Sequence, residues 1–413
     1  MSSSPSVAGL LHFISAGVGT VLTNASSRAL QNPFPFDPGF NIAAVATLAQ
    51  ALPTHSWEYG TAAQMLLETH NPAYSVFGPN PFPVPILNAS TIPALSYAQA
   101  HISLGGQNGL SNGDGSVGDP ASLGVSAVML AKTLDGYKDA CQKEINYILS
   151  ASPRWPNGAI SHRASVPELW ADFMYMAPPF IAYLGADTNN LTLLETAYRQ
   201  SGLYREVLLL GTNSTSPAPL VNASVSNTKW RHIVGPESAD AGFWSTGNAW
   251  AAAGMARVLA TITKAPITAN ATWKAAAVQD LTGWIKEIVD GARLSPPAAD
   301  GLLRNYLDDT NDSGLGFGEI SGSSMLASVV YRMVVLAPKA FPAKTYLPFA
   351  DGLRGALAKN QHITSNGTAT PAVNPLWWKD TKPWTAGSPE GQSFVVLMYA
   401  AWRDCIWLKV CSV

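Results

Sequence analysis

The sequence predicts an all-α fold, a closed α/α toroid of six helical hairpins, and three observations predict it. Apolar runs separated by Gly, Pro, Asn and Ser loops follow one another along the chain with little strand-like alternation. One kind of helix start recurs: Trp57-Glu-Tyr-Gly60, Gly118-Asp-Pro-Ala-Ser-Leu-Gly124, Trp170-Ala-Asp172, Trp244-Ser-Thr-Gly-Asn-Ala-Trp250, Glu319-Ile-Ser-Gly-Ser-Ser-Met325 and Ser388-Pro-Glu-Gly-Gln392. Each sets Gly, small polar or acidic residues immediately before an apolar run. The composition, 47% hydrophobic and only 13% charged, supplies a large core. A hairpin that cannot bury its apolar face alone must stack on neighbours, and a closed ring lets every hairpin do so. The six cluster-bearing helices then form the inner layer with their N-terminal ends at one mouth. Small residues let them approach closely, and polar ones line the cavity. The alternative is an open α-solenoid or bundle, whose groove would suit a protein partner.

Taken in order, helices are expected over 5–22, 40–51, 57–69, 120–133, 136–151, 167–184, 190–208, 246–262, 270–292, 322–337, 344–359 and 389–407. Two alternations, near 81–87 and 206–211, read as short strands, the first weakened by Pro81, Pro83 and Pro85. No linker is visible, so one catalytic domain over 1–413 is expected, although length alone would suggest about two or three.

The net charge of -2 leaves neither a nucleic-acid footprint nor a polybasic membrane patch, so no nucleic acid and no membrane is expected as a partner. A small neutral or mildly charged substrate fits better, and the 13 Trp and 13 Tyr residues offer faces for sugar rings. A monomer is expected. Cys141, Cys405 and Cys411 allow one bridge at most, with Cys405–Cys411 the candidate, and show no metal-ligand spacing. Asn24, Asn88, Asn190, Asn213, Asn222, Asn270, Asn311 and Asn366 open Asn-x-Ser/Thr sequons, which lean towards a secreted glycoprotein. The apolar run within Ser2–Leu22 lacks a basic leader and contains His12, so it reads as a first helix, with any export signal already missing.

The chemistry centres on Pro167–Leu184, apolar except for Glu168 and Asp172. A carboxylate between Trp170, Phe173, Tyr175 and Met176 would lose hydration, gain proton affinity and serve as a general acid. A partly wet helix cap is the plainer alternative. Asp119, among Gly, Ser and Asn, would stay ionised, so the pair would have separated pKa values. Asp308, Asp309 and Asp312 miss the EF-hand spacing and read as a solvated turn.

These motifs, in this order from about residue 40 to 405, resemble those of the unsaturated glucuronyl and rhamnogalacturonyl hydrolases. These are glycoside hydrolase families 88 and 105 of the six-hairpin glycosidases, and the chain looks like a fungal-type version of family 105. The resemblance implies an enzyme that takes oligosaccharides left by a polysaccharide lyase, with a 4,5-unsaturated uronic acid at the non-reducing end. It implies hydration of the double bond, with no metal or organic cofactor. By motif position Asp172 would be the general acid and then base, with Asp119 the second carboxylate. His162, His232, Trp244, Trp250 and Tyr59 resemble substrate-binding positions; each could instead be structural. Where many members carry an arginine, this chain has Thr246, which cannot supply a charge for a uronate. Either Arg163, Arg231 or Lys379 replaces it, or hydroxyl donors bind the carboxylate, or the substrate lacks the carboxylate. A six-hairpin glycosidase acting on a saturated sugar with Asp119 and Asp172, and a non-catalytic glycan-binding relative, remain the alternatives.

Overall fold

The computed structural model describes residues 32–106, 108–209, 228–311 and 313–413. The expected helix over 5–22, the sequons at Asn24, Asn213 and Asn222, and Asp312 lie outside the described residues. The helices are α1 Ile42–Ala51, α2 Ser56–His70, α3 Pro93–His101, α4 Gly124–Leu130, α5 Tyr137–Asn146, α6 Phe173–Asp187, α7 Leu191–Leu208, α8 Ser245–Lys264, α9 Lys274–Leu294, α10 Ile320–Leu336, α11 Ala343–Lys359 and α12 Pro389–Trp407. A single two-stranded antiparallel pair, β1 Leu169–Trp170 with β2 Ile233–Val234, is the sheet among the described residues.

Neighbour relations close the ring. The inner helices touch in the cycle α2, the 3₁₀ turn Asp119–Leu123 leading into α4, α6, α8, α10, α12 and back to α2. The remaining helices lie outside: α7 packs on α6, α9 on α8, α11 on α10, α1 on α12, α3 on α2 and α5 on α4. The inner helices are buried nearly all round, as expected of elements covered on both faces. Glycine makes the closest crossings possible. A Cβ on Gly254 of α8 would stand 1.9 Å from the Met174 carbonyl of α6, and one on Gly322 of α10 would stand 2.4 Å from Ser245 Oγ of α8. The ring thus requires these small residues.

Differences from the expected elements have local causes. The stretch 81–87 forms no strand, and residues 206–208 continue α7. The expected helix over 167–184 begins only at Phe173, because Leu169 and Trp170 pair with Val234 and Ile233. Buried Glu168 holds this entry extended: its carboxylate accepts from Trp170 Nε1 at 2.7 Å and from the backbone of Glu237 and Ser238 at 2.8 and 2.7 Å. The helix expected over 136–151 ends at Asn146 and runs on as a π turn, Tyr147–Ala151. Cys405 and Cys411 form a disulfide that ties the end of α12 to the following turn. No helix among the described residues is long and apolar enough to cross a membrane.

Candidate active site

The inner helices deliver their first turns to one cavity of about 370 Å³. Trp57 of α2, Asp119, Asp172 before α6, Trp244 before α8 and Glu390 of α12 all line it. Asp172 stands at the N-cap position of α6, yet its side chain caps nothing, which leaves it free to face the cavity. The start of α10 behaves differently. Glu319 turns back onto its own helix, accepting from Ser321 N at 2.9 Å and Gly322 N at 2.6 Å, and does not line the cavity.

Two carboxyls and two imidazoles meet here. His162 Nε2 lies 3.8 Å from Asp119 Oδ1, and His232 Nε2 lies 3.4 Å from Asp172 Oδ2, an ion-pair contact too loose to count as a hydrogen bond. On its other side His232 Nδ1 is 2.9 Å from Asp240 Oδ2, which also accepts from Tyr306 Oη at 2.5 Å. Burial disfavours charge on His232, but the carboxylates of Asp172 and Asp240 outweigh it and raise its pKa. His162 lacks such a sandwich: burial pushes it down to about 3, so it is neutral at physiological pH. The Asp119 carboxyl is pushed up to about 7, first by burial and then by the Asp172 charge, against a hydrogen bond from Ser116 and the charge of Arg163. Like charges in a poorly hydrated cavity do not both ionise readily.

This corrects the expected division of labour. The Asp119 carboxyl is pushed up because the Gly/Ser/Asn surroundings inferred from local sequence are buried in the fold, and Asp172 faces the His232 imidazole instead of a purely apolar shell. Of the remaining expected site residues, His162, His232 and Trp244 line the cavity, and Trp244 packs 4.4 Å from His232. Three do not. Trp250 is fully buried between Tyr175 and Phe394, with ring centroids 4.6 and 4.4 Å away. Tyr59 stacks at 3.9 Å on His101 of α3, towards the outer layer. Thr246 is fully buried, and its hydroxyl donates to Glu319 Oε2 at 3.0 Å.

Arg163 is the one Lys or Arg among the described residues lining the cavity; its guanidinium sits 4.4 Å over the Trp170 ring. Arg231 turns to the Val207 carbonyl at 3.4 Å, and Lys379 lines a neighbouring groove. Sequence reasoning did not single out Glu390, Trp378 or Asp240. Glu390, which accepts from Trp57 Nε1 at 2.9 Å, is pushed well above the usual carboxylate range by burial and then by Glu58. Its place in the sixth helix start was the available signal. Trp378 packs edge-on against Trp170 at 5.0 Å from a distant loop, with no signal in local sequence.

Solved structures that share this ring define the class of fold. A glycoside hydrolase from family 105 of C. acetobutylicum ATCC 824 superposes with a TM-score of 0.63 at 15% identity, covering 87% of this chain and 98% of that one. A possible family 105 member from Klebsiella pneumoniae also gives 0.63, at 13% identity, over 98% and 95%. An unsaturated glucuronyl hydrolase specific for heparin gives 0.55 at 11%, over 94% and 96%. No curated protein matches in sequence. The sequence profile of Glycosyl Hydrolase Family 88 matches residues 129–372, more than half of the chain. The chain belongs to that family and is a glycoside hydrolase.

Proposed function

We propose that this enzyme removes a 4,5-unsaturated uronic acid from the non-reducing end of lyase-generated oligosaccharides by hydrating the double bond. The observation that carries the reading is the pairing of Asp119, pushed up to about 7, with Asp172 at one cavity of a family 88 ring. The glucuronyl hydrolase specific for heparin, alike in fold, agrees with it. A uronate entering the cavity adds negative charge and raises the proton affinity of both carboxyls. Asp172 then gives a proton to C4 of the vinyl ether, and water adds at C5 while Asp172 takes the water's proton. The hemiketal opens and expels the remaining saccharide. Asp119 holds the second proton of the pair, neutral His162 adds no competing positive charge, and His232, tied to Asp240, keeps Asp172 oriented.

With Thr246 spent on Glu319, Arg163 is the group we assign to the substrate carboxylate, since a guanidinium is always charged and can grip it with two N–H groups. Converging helix N-termini add favourable potential for an anion. We further propose that the protein works outside the cell as a monomer, in a compartment that permits the Cys405–Cys411 disulfide. The five sequon asparagines within the described residues, Asn88, Asn190, Asn270, Asn311 and Asn366, are all exposed, as glycosylation needs.

The test follows loss of the ultraviolet absorbance of the unsaturated uronate on a panel of lyase-generated disaccharides, with wild type and Asp172→Asn. Wild type is expected to consume the chromophore, and the variant, unable to donate a carboxylic proton, to be slower by roughly 10²–10⁴-fold. If wild type leaves every chromophore intact while cleaving saturated glycosides, the hydration reading is wrong.

A further inference from the structure

Beside the cavity mouth lies a second, open groove of about 510 Å³ between residues 236–239 and 376–379. Its volume is in the range of small-molecule sites, about 300–1,000 Å³. Leu376 and Trp378 line both spaces, so the groove continues the cavity. The two tryptophans differ. Trp378 is held edge-on to Trp170 at 5.0 Å and to His232 at 5.4 Å, whereas Trp377 is 68% exposed, and Leu376 beside it is 55% exposed. An exposed indole next to a polar cavity is a costly surface to leave in water unless something covers it.

We propose that Trp377 and Trp378 form a leaving-group subsite that binds the saccharide on the reducing side of the bond broken. Trp378 borders the first ring outside the cavity, and Trp377 stacks on the rings beyond it. The C–H-rich face of a pyranose covers an indole while its hydroxyls stay wet. The opposite wall is fixed in place, because Glu168 accepts the backbone N–H groups of Glu237 and Ser238 and Lys379 Nζ reaches the Ala239 carbonyl at 3.4 Å. The groove is therefore preformed rather than assembled by ligand. A second protein is a poorer occupant, since this surface runs into the cavity instead of ending beside it.

The inference rests on the proposed exo-acting reading, and two readouts separate its fate from that reading. The probes are unsaturated di- and tetrasaccharides released by lyase from rhamnogalacturonan. Hydrolysis is followed in wild type, Trp377→Ala and Trp377→Phe, and tetrasaccharide binding is measured by calorimetry with each in the Asp172→Asn background. Trp377→Ala is expected to lower kcat/KM and affinity for the tetrasaccharide roughly tenfold, with Phe retaining most of both and the disaccharide unaffected. If wild type hydrolyses both probes and Trp377→Ala changes neither, the subsite is overturned and the reaction stands. If no probe is hydrolysed but Trp377→Ala still weakens tetrasaccharide binding, the subsite stands and the reaction reading falls. If the tetrasaccharide neither binds nor reacts, both fall.

Discussion

Towards the C-terminal ends of the inner helices, Arg332 is wedged between Glu68 and Asp404 at 2.7 and 2.6 Å, and Arg403 donates to Asp404 and to the carbonyls of Glu68 and Thr69. Gln64 donates to Glu68 at 2.7 Å and accepts from Arg257 at 3.1 Å. At the N-terminal ends, Asp172 Oδ2, His232 Nε2 and His162 Nδ1 are buried without a hydrogen-bond partner. One ring therefore buries ionisable groups in two ways. At the floor opposite charges neutralise each other through hydrogen bonds, which fixes geometry. At the mouth acid faces acid, and unpaired atoms are left for a ligand to satisfy; this end gives up stability for reactivity.

The largest effect expected from breaking the comparison lies at the floor. Arg332→Met strands the buried Glu68 carboxylate and leaves Asp404 with Arg403 alone, and should cost about 3–5 kcal/mol of stability, read as a lower denaturant midpoint. Glu68→Gln added to it should return part of the loss by removing the stranded charge. Activity per folded molecule should hold, because none of these residues lines the catalytic cavity. A stability loss below about 1 kcal/mol, the range of an exposed pair, would show that the floor is solvated and would erase the contrast.

The mouth should respond in the opposite sense. Arg163→Met removes the cavity's guanidinium, and losing a charge-assisted hydrogen bond is worth about 1.5–3 kcal/mol, or roughly 10–150-fold in kcat/KM. The loss should appear mainly in KM, because the group binds substrate and reacting states alike. The methyl ester of the same substrate gives the sharper comparison, since wild type and variant should treat it nearly equally. Equal losses on acid and ester would assign Arg163 to packing on Trp170 instead.

How much of this was legible in the sequence follows the same division. The six inner starts were readable because close packing and a polar mouth both demand small and polar residues there, and Gly60 and Gly322, whose Cβ atoms would stand 2.2 Å from Ser122 Oγ and 2.4 Å from Ser245 Oγ, carry that demand in the fold. The outer helix α3 was missed: nine residues with Pro93 at the first position and only weak amphipathicity give little periodic signal. The late start of α6 was also illegible, since Glu168 holds the entry through N–H groups from residues 237 and 238, far along the chain. Trp250 and Trp244 share one motif, yet they lie about 1.7 helical turns apart, so one faces the core and the other the cavity. The raised pKa of Asp119 depends on its burial in the ring and on the Asp172 charge across the cavity, which no reading of residues 118–124 alone could supply.

The Asp119 proton gives the smallest predicted effect and the most direct one to follow with pH. Between the ordinary Asp value of 3.8 and about 7, folded Asp119 binds a proton that the unfolded chain has released. Stability contributed here is therefore lost as pH rises through that window and is constant above it. His162 works against it: with its pKa lowered from 6.5 to about 3, the folded state binds fewer protons and gains stability as pH rises from 3 to 6.5. Wild-type stability alone would blur the two. The difference between wild type and Asp119→Asn isolates the first, since the amide cannot titrate, and it should shift steadily against wild type from pH 4 to pH 7 in denaturant titrations. The same proton should set an alkaline limb on wild-type kcat/KM near pH 7, absent from the residual activity of the variant. A stability difference that stays flat across the window would place the Asp119 carboxyl in water.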